Sequence, residues 1–263
     1  MATRSNEYWE RRARQRMADY HRQNDAVVKH IAVAYDQGQR NVLASIERIL
    51  GAYLRNSGLT PEDARRLLSE PISRREWEQI RDQYRRIKDP KMRRRLLAIL
   101  NAPAYAARIT KRQALRADML IQTKLIADAE LRLSTQGYID TINEAYYRTM
   151  FDLQRGVGYA FEFAAIPRRT VETILKRPWS GEHYSRRIWG NTDVLAQTLT
   201  KVITGWIMSG ATIRQMRQQI EERFDVGKHA ANRLVRTETT YMANAAEMEA
   251  YEEAGVDRYR FVA

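Results

Sequence analysis

Val28, Tyr35, Val42 and Ile49 stand seven residues apart, with Ile31 and Gly38 between them and Ile46, Leu50 and Tyr53 continuing the pattern. A seven-residue apolar repeat puts one stripe along a helix, and that stripe has to be covered by another helix. Little interrupts it: the 263 residues contain six prolines and twelve glycines, so long helices are expected throughout. Ser5 can cap a first helix running toward Asn56. Unbroken, it would be about 75 Å long at about 1.5 Å per residue, with Gly38 and Gly51 as the places where it can bend.

Asn56-Ser57-Gly58 reads as a stop, and Thr60-Pro61-Glu62 as a start with proline at the first helical position. Pro71 closes that short helix, and Ser73-Arg74-Arg75-Glu76 opens the next with a capping box. Asp89-Pro90 opens a basic helix to about Leu100. After Ala102-Pro103 a second long helix runs from about Ala104 to Gln154, with Gly137 as a possible break. Its stripe (Ile109, Leu115, Met119, Leu125, Ile126, Leu133, Ile142, Tyr146 and Met150) makes it the natural antiparallel partner of the first. Pro167 begins a short helix to Lys176, Asn191 or Thr192 caps a helix to Ser209, and Thr212 caps Ile213 to Phe224. After Val226-Gly227 comes a last helix, ended by Gly255. The expected fold is mainly α: a long helical hairpin or bundle, then a compact helical domain with a short C-terminal β element. The expected domains are 1–157, elongated and basic, and 158–263. No repeat of a solenoid is visible.

Net charge is +13, and much of it lies in one stretch. From Arg81 to Arg116 there are twelve lysines or arginines against Asp82 and Asp89, a local charge of +10. Such density is the electrostatic footprint of a polyanion partner. The candidate nucleic-acid contacts are Arg81, Arg85, Arg86, Lys88, Lys91, Arg93, Arg94, Arg95, Lys111 and Arg112. A solvated helical face is the plainer reading of any one of them.

The chemistry of enzymes leaves little trace. With no cysteine, thiol nucleophiles, disulfides and thiolate zinc sites are excluded. His21, His30, His183 and His229 have no ligand spacing, so no metal or cofactor is expected. Arg155-Gly156-Val157-Gly158-Tyr159 lacks the lysine and hydroxyl of a phosphate loop, which argues against a packaging ATPase. Trp179-Ser180-Gly181 is not a nucleophile elbow. On these grounds the chain is expected not to be an enzyme. The first thirty residues are charged rather than a signal peptide, and the longest apolar-leaning run, Val202 to Ile213, is too short to span a bilayer, so a soluble protein is expected.

The last helix carries an unusual triplet, Arg236-Thr237-Glu238. Residues two apart on a helix do not share a face, so one of the two charges must look inward and needs a partner there. A staple from Glu238 or Arg236 to the following segment, through Arg258 or Arg260, is the expected use. Thr237 and Thr239 are expected to bond back to their own helix. Val256 to Ala263 alternates like a strand, and a lone strand has no partner for its backbone.

The triplet, with Asn244, Tyr251 and Gly255, resembles the signature of phage minor capsid proteins of the Mu F-like head-morphogenesis family, in its Gram-positive phage branch. Pro178-Trp179-Ser180-Gly181, Ser185-Arg186-Arg187-Ile188-Trp189 and Gly210 fit the same pattern. So do Asn6-Glu7-Tyr8-Trp9 and Arg108-Ile109-Thr110. The family usually continues into an aspartate-arginine segment, often with a cysteine or histidine. That continuation is missing after Ala263, so a truncated C-terminus is expected. The resemblance implies a structural virion component at the capsid interior or portal vertex, made in the host cytoplasm. Its partners would be the portal protein, the major capsid or scaffolding protein and double-stranded DNA, with oligomers around the portal. Trp179, Ser180, Gly181, Trp189, Gly210, Arg236, Thr237, Glu238, Asn244, Tyr251 and Gly255 would be structural motif positions, and Trp179 and Trp189, flanking a loop, could anchor an interface. Three other readings stay open: a carrier domain in front of a toxin or enzyme domain; an enzyme acting on nucleic acid, against which the missing metal and nucleophile constellations argue; and, as the fallback, a generic helical DNA-binding protein.

Overall fold

The computed structural model describes residues 5–54, 60–101, 109–157, 165–209, 212–256 and 258. Among them the fold is mainly α, as the sparse punctuation requires. In chain order the helices are α1 (Asn6–Leu54), α2 (Pro61–Ser69), α3 (Arg74–Asp82), α4 (Pro90–Asn101), α5 (Lys111–Val157), α6 (Arg168–Lys176), α7 (Tyr184–Ser209) and α8 (Ile213–Glu253), with a 3₁₀ turn at Gln83–Arg86. No strand is present among the described residues; Pro71 and Thr110 form one isolated antiparallel bridge. Val256 and Arg258 lie in no strand, and the rest of the expected terminal strand, with Gly210, falls outside the described residues.

The helix starts follow their caps. The Ser5 hydroxyl accepts from the Tyr8 backbone N–H at 3.3 Å. Thr60 and Ser73 each complete a capping box, with Asp63 and Glu76. Asp89 accepts from the Met92 N–H at 2.7 Å, and Thr212 exchanges bonds with Gln215. Each such cap satisfies N–H groups that the first turn leaves open, and contributes about 1 kcal/mol.

Two expected boundaries are corrected. α7 begins at Tyr184, and Thr192 lies inside it, buried, with its hydroxyl bonded back to the Ile188 and Trp189 carbonyls at 3.0 Å. α8 is continuous through Val226-Gly227 and 41 residues long. Gly38 and Gly137 likewise interrupt nothing. α8 ends as expected: Gly255 takes φ 67, and Val256 and Gly255 donate back to Tyr251 and Glu252 at 2.9 and 3.1 Å, a Schellman closure.

The chain forms two compact units, and the long helices contribute to both. The first holds residues 1–30, 132–184 and 231–263; the second holds 31–131 and 185–230. Each therefore draws on residues from both sides of the boundary expected at 157/158.

In the first unit α1 and α5 run antiparallel. Arg12 and Arg16 meet Asp152, while Asn24 donates to Thr141 at 2.8 Å. Tyr20, Tyr138, Ile142, Tyr146 and Met150 are buried there, with Ala243, Ala246 and Ala250 of α8. In the second unit the same two helices also run antiparallel: Tyr35 meets Glu130, Gly38 packs on Ile126, and Asn41 donates to Gln122 at 2.9 Å. Ile31, Tyr35, Val42, Ile46 and Leu50 of the expected seam are buried, as are Trp77 of α3, Met119 of α5, Leu199 of α7 and Phe224 of α8 in the same unit. Fully burying a large aliphatic side chain contributes roughly 1.5–3 kcal/mol, so these seams dominate each unit's stability.

Gly227 explains why α8 does not stop where the sequence suggested. A Cβ on it would lie 2.5 Å from Cε1 of the Tyr35 ring. The residue is a contact point between helices, and the tyrosine is held in place by its bond to Glu130. Gly227→Ala is expected to lower stability by about 1–3 kcal/mol through overpacking, although alanine is the better helix former. Urea unfolding of the two proteins checks the sign.

Candidate functional site

The triplet on α8 is built into the first unit. Glu238 is the inward-facing charge, 1% exposed. Its Oε2 accepts from the Trp179 indole N–H at 3.0 Å. The Trp179 ring stacks on Tyr241, with centroids 5.0 Å apart and planes within 6°. Trp179 is held in a tight turn, in which the Gly181 N–H donates to the Pro178 carbonyl at 3.0 Å and Gly181 takes φ 90. The indole thus reaches α8 while staying 43% exposed.

Arg236 points elsewhere and pairs with Asp25 on α1 at 3.0 Å. Among the described residues Glu238 thus meets Trp179, from the turn between α6 and α7, and Arg236 meets Asp25 on α1. Arg258 is exposed, and Arg260 lies outside the described residues. Thr237 bonds back to Arg233 at 2.9 Å as expected. Thr239 does not: its buried hydroxyl makes no such bond, and Thr240 takes the role, donating to the Arg236 carbonyl at 3.2 Å. Thr240 also meets His21 Nε2 at 3.2 Å, and burial with the nearby Arg236 charge holds that imidazole below its usual pKa.

Trp179, Tyr241 and Asn244 line a cleft of about 700 Å³ with Arg177, Glu249 and Glu252. Burial and the neighbouring Glu252 raise the Glu249 carboxyl, while Arg177 pulls it back. Burial also raises the Tyr241 phenol. The cleft joins an aromatic platform to charges of both signs, an arrangement suited to holding a polar chain or planar group. Tyr241, three residues past Glu238, and Arg177, just before the turn, are the site residues that sequence reasoning missed. The one available signal was the helical spacing of Tyr241 from Glu238.

Other motif positions lie outside this cleft. Tyr251 packs near Arg16 and Glu247, Ser180 is exposed in the turn, and Gly255 ends α8. Trp189 does not flank a loop. It sits on α7 in the second unit, with the Lys124 ammonium 5.3 Å from its ring centroid.

The basic stretch belongs to the second unit and centres on α4. Lys88 and Asp89 donate their backbone N–H groups to the buried Asp128 carboxylate at 3.1 and 2.8 Å, which fixes the approach to α4. Arg85, Arg86, Lys88, Lys91, Arg93, Arg94, Arg95 and Arg112 are exposed. Arg81 and Lys111 are less available: Arg81 pairs with Asp82 at 3.3 Å and Lys111 with Glu70 at 2.8 Å. Asp82 also meets Arg85 at 3.8 Å. Among the described residues no helix is long and apolar enough to cross a membrane.

No family model matches the chain, and no solved structure matches it. Among characterised proteins it is similar to NAD(+)–arginine ADP-ribosyltransferase EFV of Enterococcus faecalis, at 24% identity over 111 residues. The similarity covers 42% of this chain and 23% of that enzyme. This corrects the expectation that the chain has no place among enzymes, because part of it resembles part of a named transferase.

Proposed function

We propose that this chain is the helical assembly module of a phage-head type of protein, docking beside the portal and presenting a basic face to packaged DNA. The observation that supports this most is the meeting of Trp179 and Glu238. They come from segments 59 residues apart, each of which carries part of the resemblance to head-morphogenesis proteins, and they close on one another through one hydrogen bond. Tyr241 adds the stacked ring beneath. A likeness scattered by chance along a chain gives no reason for its pieces to converge.

The DNA face is the exposed set Arg85, Arg86, Lys88, Lys91, Arg93, Arg94, Arg95 and Arg112. Contacts of this kind release counterions, so affinity falls steeply with salt. For about six phosphate contacts, double-stranded DNA is expected to bind about a thousandfold more weakly at 200 mM than at 50 mM salt. Fluorescence anisotropy with a random duplex measures this. A flat salt response, or no binding at low salt, would remove DNA from the proposal.

The Enterococcus match favours a second reading, in which the chain is part of an arginine ADP-ribosyltransferase. Incubating the protein with labelled NAD+ and an arginine-rich acceptor tests it. Label on the acceptor would support the transferase reading; no label, with portal binding retained, would favour the assembly module.

A further inference from the structure

A second cleft lies wholly within the second unit, between α4, α5 and α7, with a volume of about 440 Å³. On α4, Met92, Leu96 and Ile99 follow one another at four- and three-residue steps and face it. Ile99 is 50% exposed. Leu120 and Leu131 of α5 and Trp189 of α7 continue the apolar lining.

The rim is cationic. Lys91 and Arg95 each stand one residue before an apolar member of the α4 stripe, and Arg186 faces them from α7. Among the described residues none of these three forms an ion pair. The two carboxylates in the cleft are already used: Asp89 caps α4, and Asp193 holds the buried Lys124 ammonium at 2.6 Å. Burial lowers the Lys124 pKa, Asp193 opposes that, and Arg95 adds to the lowering. The surface is therefore an apolar trough flanked by unpaired positive charge.

The geometry points to a docking site for an acidic amphipathic helix of a partner protein, its leucine-like face on Ile99, Met92 and Trp189 and its carboxylates on Arg95, Lys91 and Arg186. Charge complementarity selects the acidic partner, and the aliphatic lining selects protein over nucleic acid, since phosphates gain nothing from Ile99. The proposal does not depend on the virion reading. It does divide the exposed basic set: Lys91 and Arg95 serve this trough, while Arg85, Arg86, Lys88, Arg93, Arg94 and Arg112 are left for DNA or other anions.

The probe is a fluorescent helical peptide with leucines on one face and glutamates on both flanks. Its lysine-for-glutamate counterpart and a random DNA duplex are the controls. The glutamate peptide is expected to bind at physiological salt, and the lysine peptide is not. Ile99→Ser and Arg186→Ala should each weaken it about tenfold, while Arg86→Ala, outside the trough, changes it less than about twofold. DNA binding should ignore Ile99→Ser. Circular dichroism confirms that each variant is folded, and a photocrosslinker in place of Ile99 reports contact without relying on affinity. Equal losses for Arg86→Ala and Ile99→Ser, equal binding of the lysine peptide, or crosslinking to DNA in preference to the peptide would each overturn the proposal.

Discussion

Arg16→Met is expected to cost about 3–5 kcal/mol, the largest single loss anticipated for this chain. Arg16 is 4% exposed in the first unit, between Asp152 at 2.7 Å and Glu247 at 3.3 Å. Burial disfavours its charge, but the two carboxylates outweigh that and hold its pKa above the usual arginine value, so it stays charged at every working pH. Methionine keeps the length and removes the charge, so Glu247 is left in a desolvated site without its cation. Asp152 suffers less because Arg12 still reaches it at 2.5 Å. Burial already raises the Glu247 carboxyl, with Arg16 restraining it. Without that restraint Glu247 rises further, and the variant loses stability as pH increases. The triple variant Arg16→Met, Asp152→Asn, Glu247→Gln should recover much of the loss, because no buried charge remains unpaired. Thermal unfolding of the single and triple variants separates these effects. Equal destabilisation of both would mean that Arg16 acts through shape alone.

The second large effect concerns Glu130, fully buried on α5 in the second unit. Burial pushes its carboxyl up from 4.5 to about 7, and the Tyr35 hydroxyl bond at 3.1 Å opposes that only in part. The folded state therefore holds a proton that the unfolded chain releases. Below the unfolded value both states are protonated and nothing is lost. Between there and about 7 stability falls as pH rises, reaching a penalty of about 3 kcal/mol above it. Glu130→Gln keeps the acceptor for Tyr35 and cannot ionise. It is expected to match the parent near about pH 4 and to be more stable by up to about 3 kcal/mol near about pH 8. Urea midpoints across that range test it. A constant difference between the two proteins at all pH values would show that Glu130 does not titrate.

Much of the helical frame could be read from the sequence because its signals are local. Thr60, Ser73, Asp89 and Thr212 cap the helices they were expected to cap, and Gly255 ends α8. The seam through Ile31, Tyr35, Val42 and Ile46 is buried. What misled were residues whose use is set by distant partners. Gly227 looked like a helix stop because glycine is a poor helix former, yet it makes room for Tyr35, 192 positions earlier in the chain. Thr192 looked like a cap, but its hydroxyl is satisfied just as well by the carbonyls of its own helix. For Glu238, helical geometry required an inward charge and a partner, but it could not say that an indole N–H would be among its partners. The exposed cleft beside Trp179 was invisible for the same reason: Tyr241 and Arg177 become site residues only when the 178–181 turn folds onto α8.

The central claim is tested most directly by co-purification. The tagged chain is expressed together with a phage portal protein and a phage major capsid protein, and the material retained is identified. The assembly-module account predicts that the portal protein is retained in fixed proportion. It also predicts that Trp179→Ala, which removes the ring that joins the two motif segments, lowers that retention while the chain stays helical. Retention of neither protein, together with transfer of labelled ADP-ribose to arginine by the same preparation, would contradict it.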